Sequence, residues 1–252
     1  GGYANDVYSD RHLVVGQFNT FDGYSDSCDA GLNTVSSGRK SNILPTIYLT
    51  NCNHILNKLD ELYLLAVDNS SDLEIICLSE TWLDDLSPDS VCALPAFKTY
   101  RKDRATGQGG GVLCYVHHNI VTLSAQINID GSAEIDGFTT SNFEVLWLVL
   151  RPKIMPRPFS QLIIVTVYCP PWYEAARKRA LQKYITMGLD KLLSLHPNAA
   201  VVVLGDFNTL DTSFISRQYG FRQLVKSGTR GDRILDKIFT NCHSLYDEAV
   251  IC

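Results

Sequence analysis

The sequence predicts an α/β domain made of two packed β-sheets with helices on the outside. Three observations carry this expectation. Short apolar runs rich in β-branched residues recur along the chain and read as buried strands. Only two long stretches show helical spacing, and many strands with few helices are accommodated by sheet-on-sheet packing. At 252 residues with 45% hydrophobic content, the chain can also bury a large single core.

Residues 1–42 are polar and rich in Gly, Asp and Ser, with one apolar patch at Leu13-Val14-Val15. They read as a leader that is flexible or loosely docked. The domain proper, 43–252, opens with a strand from Ile43 to Thr50, closed by Asn51. Ile55, Leu59, Leu62 and Ala66 then recur at helical spacing and predict one helix packed on a sheet. A second strand, Glu74 to Ser79, is closed by Glu80, and further strand-like runs follow at Gly111–Val116, Phe143–Leu150 and Leu162–Tyr168. Gly109-Gly110-Gly111 suits a tight entry into the strand that follows, and a phosphate-cradling loop is the alternative. Cys169-Pro170-Pro171 ends the last of these strands, because proline cannot donate to a ladder. A long helix runs from about Tyr173 to Leu195, with Leu181, Ile185, Leu189 and Leu192 on one stripe, and His196-Pro197-Asn198 stops it.

The run Val201-Val202-Val203-Leu204-Gly205-Asp206-Phe207-Asn208 is the most informative part of the chain. Side chains two apart on an extended backbone point to the same side, so Asp206 and Asn208 converge at the strand's end. A carboxylate beside a carboxamide suits a metal-bound water or a phosphate oxygen. A strand followed by an Asx-turn gives the same pattern. Repetition favours the chemical reading, since apolar runs deliver Asn51, Glu80, Tyr168, Asp206 and Asp236 at or near strand ends.

The formal net charge of −5 gives no global electrostatic reason to expect nucleic-acid binding. It does not exclude a DNA-cutting enzyme, because acids that hold a cation lower net charge without repelling phosphate once it is bound. Basic stretches remain at Arg101-Lys102-Asp103-Arg104, Arg151–Arg157 and Arg177-Lys178-Arg179. The eight cysteines include no C-x-x-C pair and read as small core residues in a reducing compartment. No stretch approaches the length that spans a bilayer, so an intracellular protein without a membrane partner is expected, in cytoplasm and nucleus.

Six segments occur in an order that resembles one family: NCNHILNKLDEL from Asn51 to Leu62, LSETWL from Leu78 to Leu83, GGGVLCYV from Gly109 to Val116, VYCPP from Val167 to Pro171, GDFN from Gly205 to Asn208 and ILDKIFTN from Ile234 to Asn241. From Ile43 onward the chain is similar to the apurinic/apyrimidinic-endonuclease-like domain of LINE-type (non-LTR) retrotransposon polyproteins, within the endonuclease/exonuclease/phosphatase superfamily. The resemblance implies a four-layer α/β/β/α sandwich of two packed mixed sheets, with the site at strand ends on one edge. It implies a metal-dependent nick in one strand of double-stranded DNA, leaving a 3′-hydroxyl that primes the reverse-transcriptase region of the same polyprotein. No small-molecule cofactor is implied.

On this resemblance Glu80 is the principal Mg²⁺ ligand, with Asn51 and Asp236 nearby and Mn²⁺ able to substitute. Asp206 handles the attacking water or the leaving group, Asn208 holds Asp206 and contacts a phosphate oxygen, and Tyr168 donates to the phosphate. Thr229, Arg230 and Arg104 are the expected DNA contacts. The family also carries a Ser-Asp-His motif on a last strand, and that motif is absent from this sequence. The domain is therefore expected to lack its C-terminal strand, to leave a sheet edge unpaired and to have reduced activity. A copy that binds nucleic acid or protein without cutting, or a phosphoesterase acting on a small molecule or phosphoinositide, are the alternatives.

Overall fold

A computed structural model describes residues 13–15, 44–68, 73–125 and 134–251. Strand β1 is Leu13–Val15 and β2 is Thr46–Asn51. A 3-10 turn at Ile55–Asn57 leads into helix α1, Leu59–Asp68, and then β3, Leu73–Ser79. Strands β4 (Phe97–Lys102), β5 (Val112–His117) and β6 (Val121–Ala125) follow. A short hairpin joins β7 (Glu134–Ile135) to β8 (Phe138–Thr139). The second half contains β9 (Glu144–Arg151), β10 (Gln161–Tyr168), α2 (Ala175–Leu195) and β11 (Ala199–Asp206). It closes with α3 (Ser213–Tyr219), β12 (Arg222–Gln223), β13 (Asp236–Thr240) and β14 (Val250–Ile251).

These strands make two six-stranded sheets, ordered β14-β1-β2-β3-β5-β4 and β12-β13-β11-β10-β9-β6. Each contains one parallel pair, β2 with β3 and β10 with β11, and is otherwise antiparallel. Period-2 alternation sorts the side chains into layers. Ile47, Leu49, Ile75, Cys77 and Cys114 of the first sheet meet Leu146, Leu148, Ile164, Val202 and Leu204 of the second. The alternate positions of the first sheet, Tyr48, Ile76 and Leu78, pack on Leu62 and Ala66 of α1. Those of the second, Val149, Ile163, Val165 and Val203, pack on Leu181, Ile185 and Leu189 of α2. The result is the expected four-layer α/β/β/α sandwich.

Parallel neighbours need a crossover, and α1 and α2 supply one each. Two β-α-β units therefore face each other across the central core. Ligands in such units bind beyond the carboxyl ends of the strands. Asn51 closes β2, Tyr168 closes β10 and Asp206 closes β11, while Glu80 follows the last residue of β3.

Within the N-terminal 42 residues, expected to be flexible or loosely docked, Leu13–Val15 pair antiparallel with β2 and with β14. Leu13 is buried in the central core. The rest of that segment lies outside the described residues. The outer side of β2 is thus occupied, and the edges of this sheet are β14 and β4. The first helix is shorter than its periodicity suggested, because Asn53 and His54 take positive φ values of 39° and 86° and only a 3-10 turn forms over Ile55–Asn57. The second helix begins at Ala175 rather than Tyr173. No helix among the described residues is long and apolar enough to cross a membrane. Six cysteines, Cys52, Cys77, Cys92, Cys114, Cys169 and Cys242, are buried and unbonded.

Candidate active site

Backbone register brings the acids together. Tyr168 pairs with Asp206 across β10 and β11, and Asp206 pairs with Asp236 across β11 and β13. Gly205 allows the first of these pairings. Its φ is +142°, and a Cβ there would collide with the Val167 backbone carbonyl. Asn208 follows with φ +45°, which turns the chain so that its backbone N–H donates to Asp206 Oδ1 at 3.0 Å. This is the Asx-turn that the Gly-Asp-x-Asn pattern also allowed. Here it is part of the site, since the Asn208 side chain donates to the Cys169 carbonyl at 3.0 Å and ties β10 to β11.

Asp206 is the centre of the cluster and has no exposed surface. Asn51 Nδ2 donates to its Oδ2 at 2.9 Å and to Glu80 Oε1 at 2.8 Å, bridging the two sheets. Arg230 Nη2 stands 3.0 Å from the same Oδ2. Burial raises the Asp206 carboxyl above the usual range, with Arg230 opposing that shift. A carboxylate has about four lone-pair sites. Among the described residues three donors reach Asp206, which leaves one site for a fourth.

Asp236 is nearly buried and pushed up to about 6, first by burial and then by the charge of Asp206. Its Oδ1 has no hydrogen-bond partner among the described residues. Thr229 sets its backbone, because the threonine hydroxyl accepts from the N–H groups of Leu235 and Asp236 at 3.1 Å each. Tyr168 is buried and its hydroxyl bonds Glu80. Burial and that carboxylate drive its pKa upward, so the phenol stays protonated, with its one proton given to Glu80.

The site therefore gathers Asn51, Glu80, Tyr168, Asp206, Asn208, Arg230 and Asp236. The two other residues expected at the DNA are placed differently. Thr229 is buried with its hydroxyl on backbone donors, and Arg104 lies on the side of Tyr168, 5.9 Å above its ring. Arg104 is held by Glu144, whose Oε1 accepts from Nε at 2.8 Å. Glu144 is buried, and burial raises its pKa against the pull of the Gly111 N–H and Arg104. It is a site-supporting residue that the sequence reading passed over. Its signal was a carboxylate at the head of a strand otherwise apolar to Leu150. His243 follows the end of β13 remote from Asp236, away from the cluster.

The donor set suits a small hard cation. Mg²⁺ takes oxygen ligands, commonly one or two carboxylates with water completing the shell. Glu80 provides an oxygen pair at the strand-end mouth, and the orphaned Asp236 Oδ1 is a second carboxylate oxygen free of other duty. Asn51 turns its amide nitrogen toward the acids and gives its Oδ1 to the Asn53 N–H at 3.1 Å. Among the described residues no group of three or more His, Cys, Asp or Glu is gathered closely enough to hold a metal ion by itself.

A family model for the endonuclease/exonuclease/phosphatase family matches residues 50–241, from the end of β2 to just past β13. The chain belongs to the endonuclease/exonuclease/phosphatase family. Members of this family are in general hydrolases of phosphate esters, nucleases and phosphatases. A search of curated protein sequences finds no match. Among solved structures, the fold is similar to an AP endonuclease from Archaeoglobus fulgidus, with TM-score 0.52 and 11% identity, covering 79% of this chain and 87% of that one. It is similar to the Xenopus laevis APE2 catalytic domain, with TM-score 0.51 and 17% identity, covering 77% and 82%. The human Nocturnin catalytic domain aligns over 75% and 74%, with TM-score 0.51 and 16% identity. At these identities the likeness establishes the fold of this endonuclease/exonuclease/phosphatase chain over about three quarters of its length.

Proposed function

We propose that this chain is the endonuclease domain of a LINE-type retrotransposon polyprotein. It nicks one strand of double-stranded DNA and leaves a 3′-hydroxyl that primes the reverse-transcriptase region of the same polyprotein. The observation that carries the hydrolytic part is the convergence on Asp206 of Asn51, Arg230 and Asn208, one hydrogen bond from Glu80. The retrotransposon part is supported by LSETWL and the other five segments in register.

Phosphodiester hydrolysis needs an activated water, neutralised phosphoryl oxygens and a stabilised leaving oxygen. The remaining lone-pair site of Asp206 accepts from the water, and its burial-raised pKa makes it a better base than an exposed aspartate. Asn51 and Asn208 fix the two carboxylate oxygens, so the water meets a preset geometry. Tyr168 turns its proton from Glu80 to a phosphoryl oxygen when substrate is bound, and Arg230 offers charge beside it. Mg²⁺, or Mn²⁺ in its place, would be held by Glu80 with Asp236 and Asn51 adjacent, and would supply charge neutralisation at the phosphate. Target DNA is met in the nucleus after synthesis in the cytoplasm.

A supercoiled-plasmid assay with Mg²⁺ tests the reading. The expected product is open-circular DNA, and Glu80→Gln and Asp206→Asn should each reduce its rate by about 10²- to 10⁴-fold. Linear product without accumulated open circles, or full activity in either variant, would overturn it.

A further inference from the structure

Two tryptophans stand out of the core at the rim of the site. Trp82 is 45% exposed and Trp172 is 59% exposed. Single exposed apolar residues are ordinary, so exposure alone decides nothing. Their settings are not ordinary. Trp82 lies two residues beyond Glu80, and both hold positive φ, 60° and 56°. Such backbone persists for non-glycine residues only where the surroundings enforce it. Here the Trp82 N–H donates to the Gly110 carbonyl at 2.8 Å, the His54 ring lies 5.6 Å from the indole, and the indole rests on Gly109. A Cβ on Gly109 would stand 3.2 Å from Trp82 Cε2, so the missing side chain is what lets the ring lie down.

Trp172 has cations on its ring instead. The guanidinium carbons of Arg104 and Arg177 lie 5.6 and 5.5 Å from its centroid. Arg104 is pinned by Glu144 and by the Gln108 carbonyl, each at 2.8 Å, and also covers Tyr168. One loop, 103–111, thus supports both indoles, through Gly109 at one end and Arg104 at the other; Glu80 is two residues from Trp82, and Tyr168 lies under the same guanidinium as Trp172. Rigid aromatic faces beside guanidinium groups match a ligand with flat rings and a negative backbone.

We propose that Trp82 and Trp172 form a stacking platform for unpaired nucleobases of the DNA strand on either side of the phosphodiester to be cut. This rests on the nuclease reading and deepens it. Paired bases are stacked on their neighbours and are not available to the indoles. The domain should therefore favour DNA whose strand is locally open over fully paired duplex.

Binding by the full chain in EDTA tests the platform without cutting. A short labelled oligothymidylate should bind more tightly than a blunt duplex of equal length and should quench tryptophan emission. Trp82→Ala and Trp172→Ala should each weaken oligothymidylate binding about tenfold, while Trp172→Phe keeps most of it. Unchanged melting temperatures would establish that the variants fold. Wild-type affinity in both alanine variants, or duplex bound as tightly as oligothymidylate, would overturn the proposal. Hydrolysis of bis(4-nitrophenyl) phosphate with Mg²⁺ reports on the chemistry separately. Tryptophan-dependent binding without hydrolysis retains the platform and removes the nuclease reading, and hydrolysis with tryptophan-independent binding does the reverse.

Discussion

Asp236 shows how a buried carboxylate couples chemistry to stability. Its folded pKa of about 6 lies above the ordinary value of 3.8, first because of burial and then because of Asp206 opposite. Between those values the folded chain holds a proton that the unfolded chain has lost. Stability from this group is therefore full below about pH 4 and lost as pH rises through about 6. Two pKa units correspond to about 3 kcal/mol at most. Asp236→Asn removes the charge that must be buried, so in EDTA the variant should be more stable than the parent at pH 7 by about 1–3 kcal/mol. The gap should close as pH falls to about 4. Urea titrations across that range check it, and a pH-independent gap would contradict the assignment. Sequence showed Asp236 as a carboxylate with apolar neighbours, which is why it stood out. Glu144 did not, because an acid at the first residue of a strand is usually solvated, and its partner Arg104 lies 40 positions away. Arg230 was legible as basic, but not as the ion partner of Asp206, since no local spacing encodes a pairing made across a loop.

At the scale of elements, the strand pair β10–β11 places Tyr168 beside Asp206 in one register. Side chains alternate with period two, so slippage by one residue would send both to the wrong face. Gly205 guards that register, because any side chain there meets the Val167 carbonyl. Gly205→Ala should lower stability by about 2 kcal/mol or more, from the positive φ and the overpacking together. For a domain of this size that is a fall in Tm of roughly 4–8 °C. Plasmid nicking should fall further than stability does, because the pair must separate for the methyl group to fit. A variant with parental Tm would show that the strands can part at no cost. The apolar strands and the two long helices were legible because apolar period and β-branched content are local properties. The polar strand β4, the largely exposed strand β6, the β7–β8 hairpin and the short elements α3, β12 and β14 were not. Two-residue strands and a seven-residue helix with no apolar run carry too little pattern, and tertiary neighbours decide their structure.

The whole molecule is two β-α-β units set face to face, each delivering site residues beyond its parallel strands. Asn51 and Glu80 come from the first sheet, Tyr168 and Asp206 from the second, so the site exists only while the sheets stay packed. The hydrogen bonds from Asn51 to both acids are the link across that gap. What keeps β2 in place on its outer side is β1, a strand drawn from the N-terminal stretch whose composition reads as a leader. Leu13 pairs with Leu49 on one flank and Ile251 on the other, and its side chain reaches the core between the sheets. Three residues thus hold both the strand that carries Asn51 and the strand that ends the described chain. Their apolar patch was visible in the sequence, but a three-residue strand between distant partners has no local signature. Deleting residues 1–15 should remove a buried leucine and strip two strands of a neighbour, leaving β2 as an exposed edge prone to association. The loss of one buried leucine side chain costs about 2–5 kcal/mol, equivalent to a fall in Tm of roughly 5–15 °C at this chain length. Leu13→Asp should act in the same direction while keeping the chain at full length, since an unpaired charge would enter an apolar layer. Light scattering and thermal melts on both variants check this, together with plasmid nicking, which should fall as β2 loosens. If both retain the parental Tm and remain monomeric, β1 does not anchor the sheet and Asn51 is positioned by β3 alone.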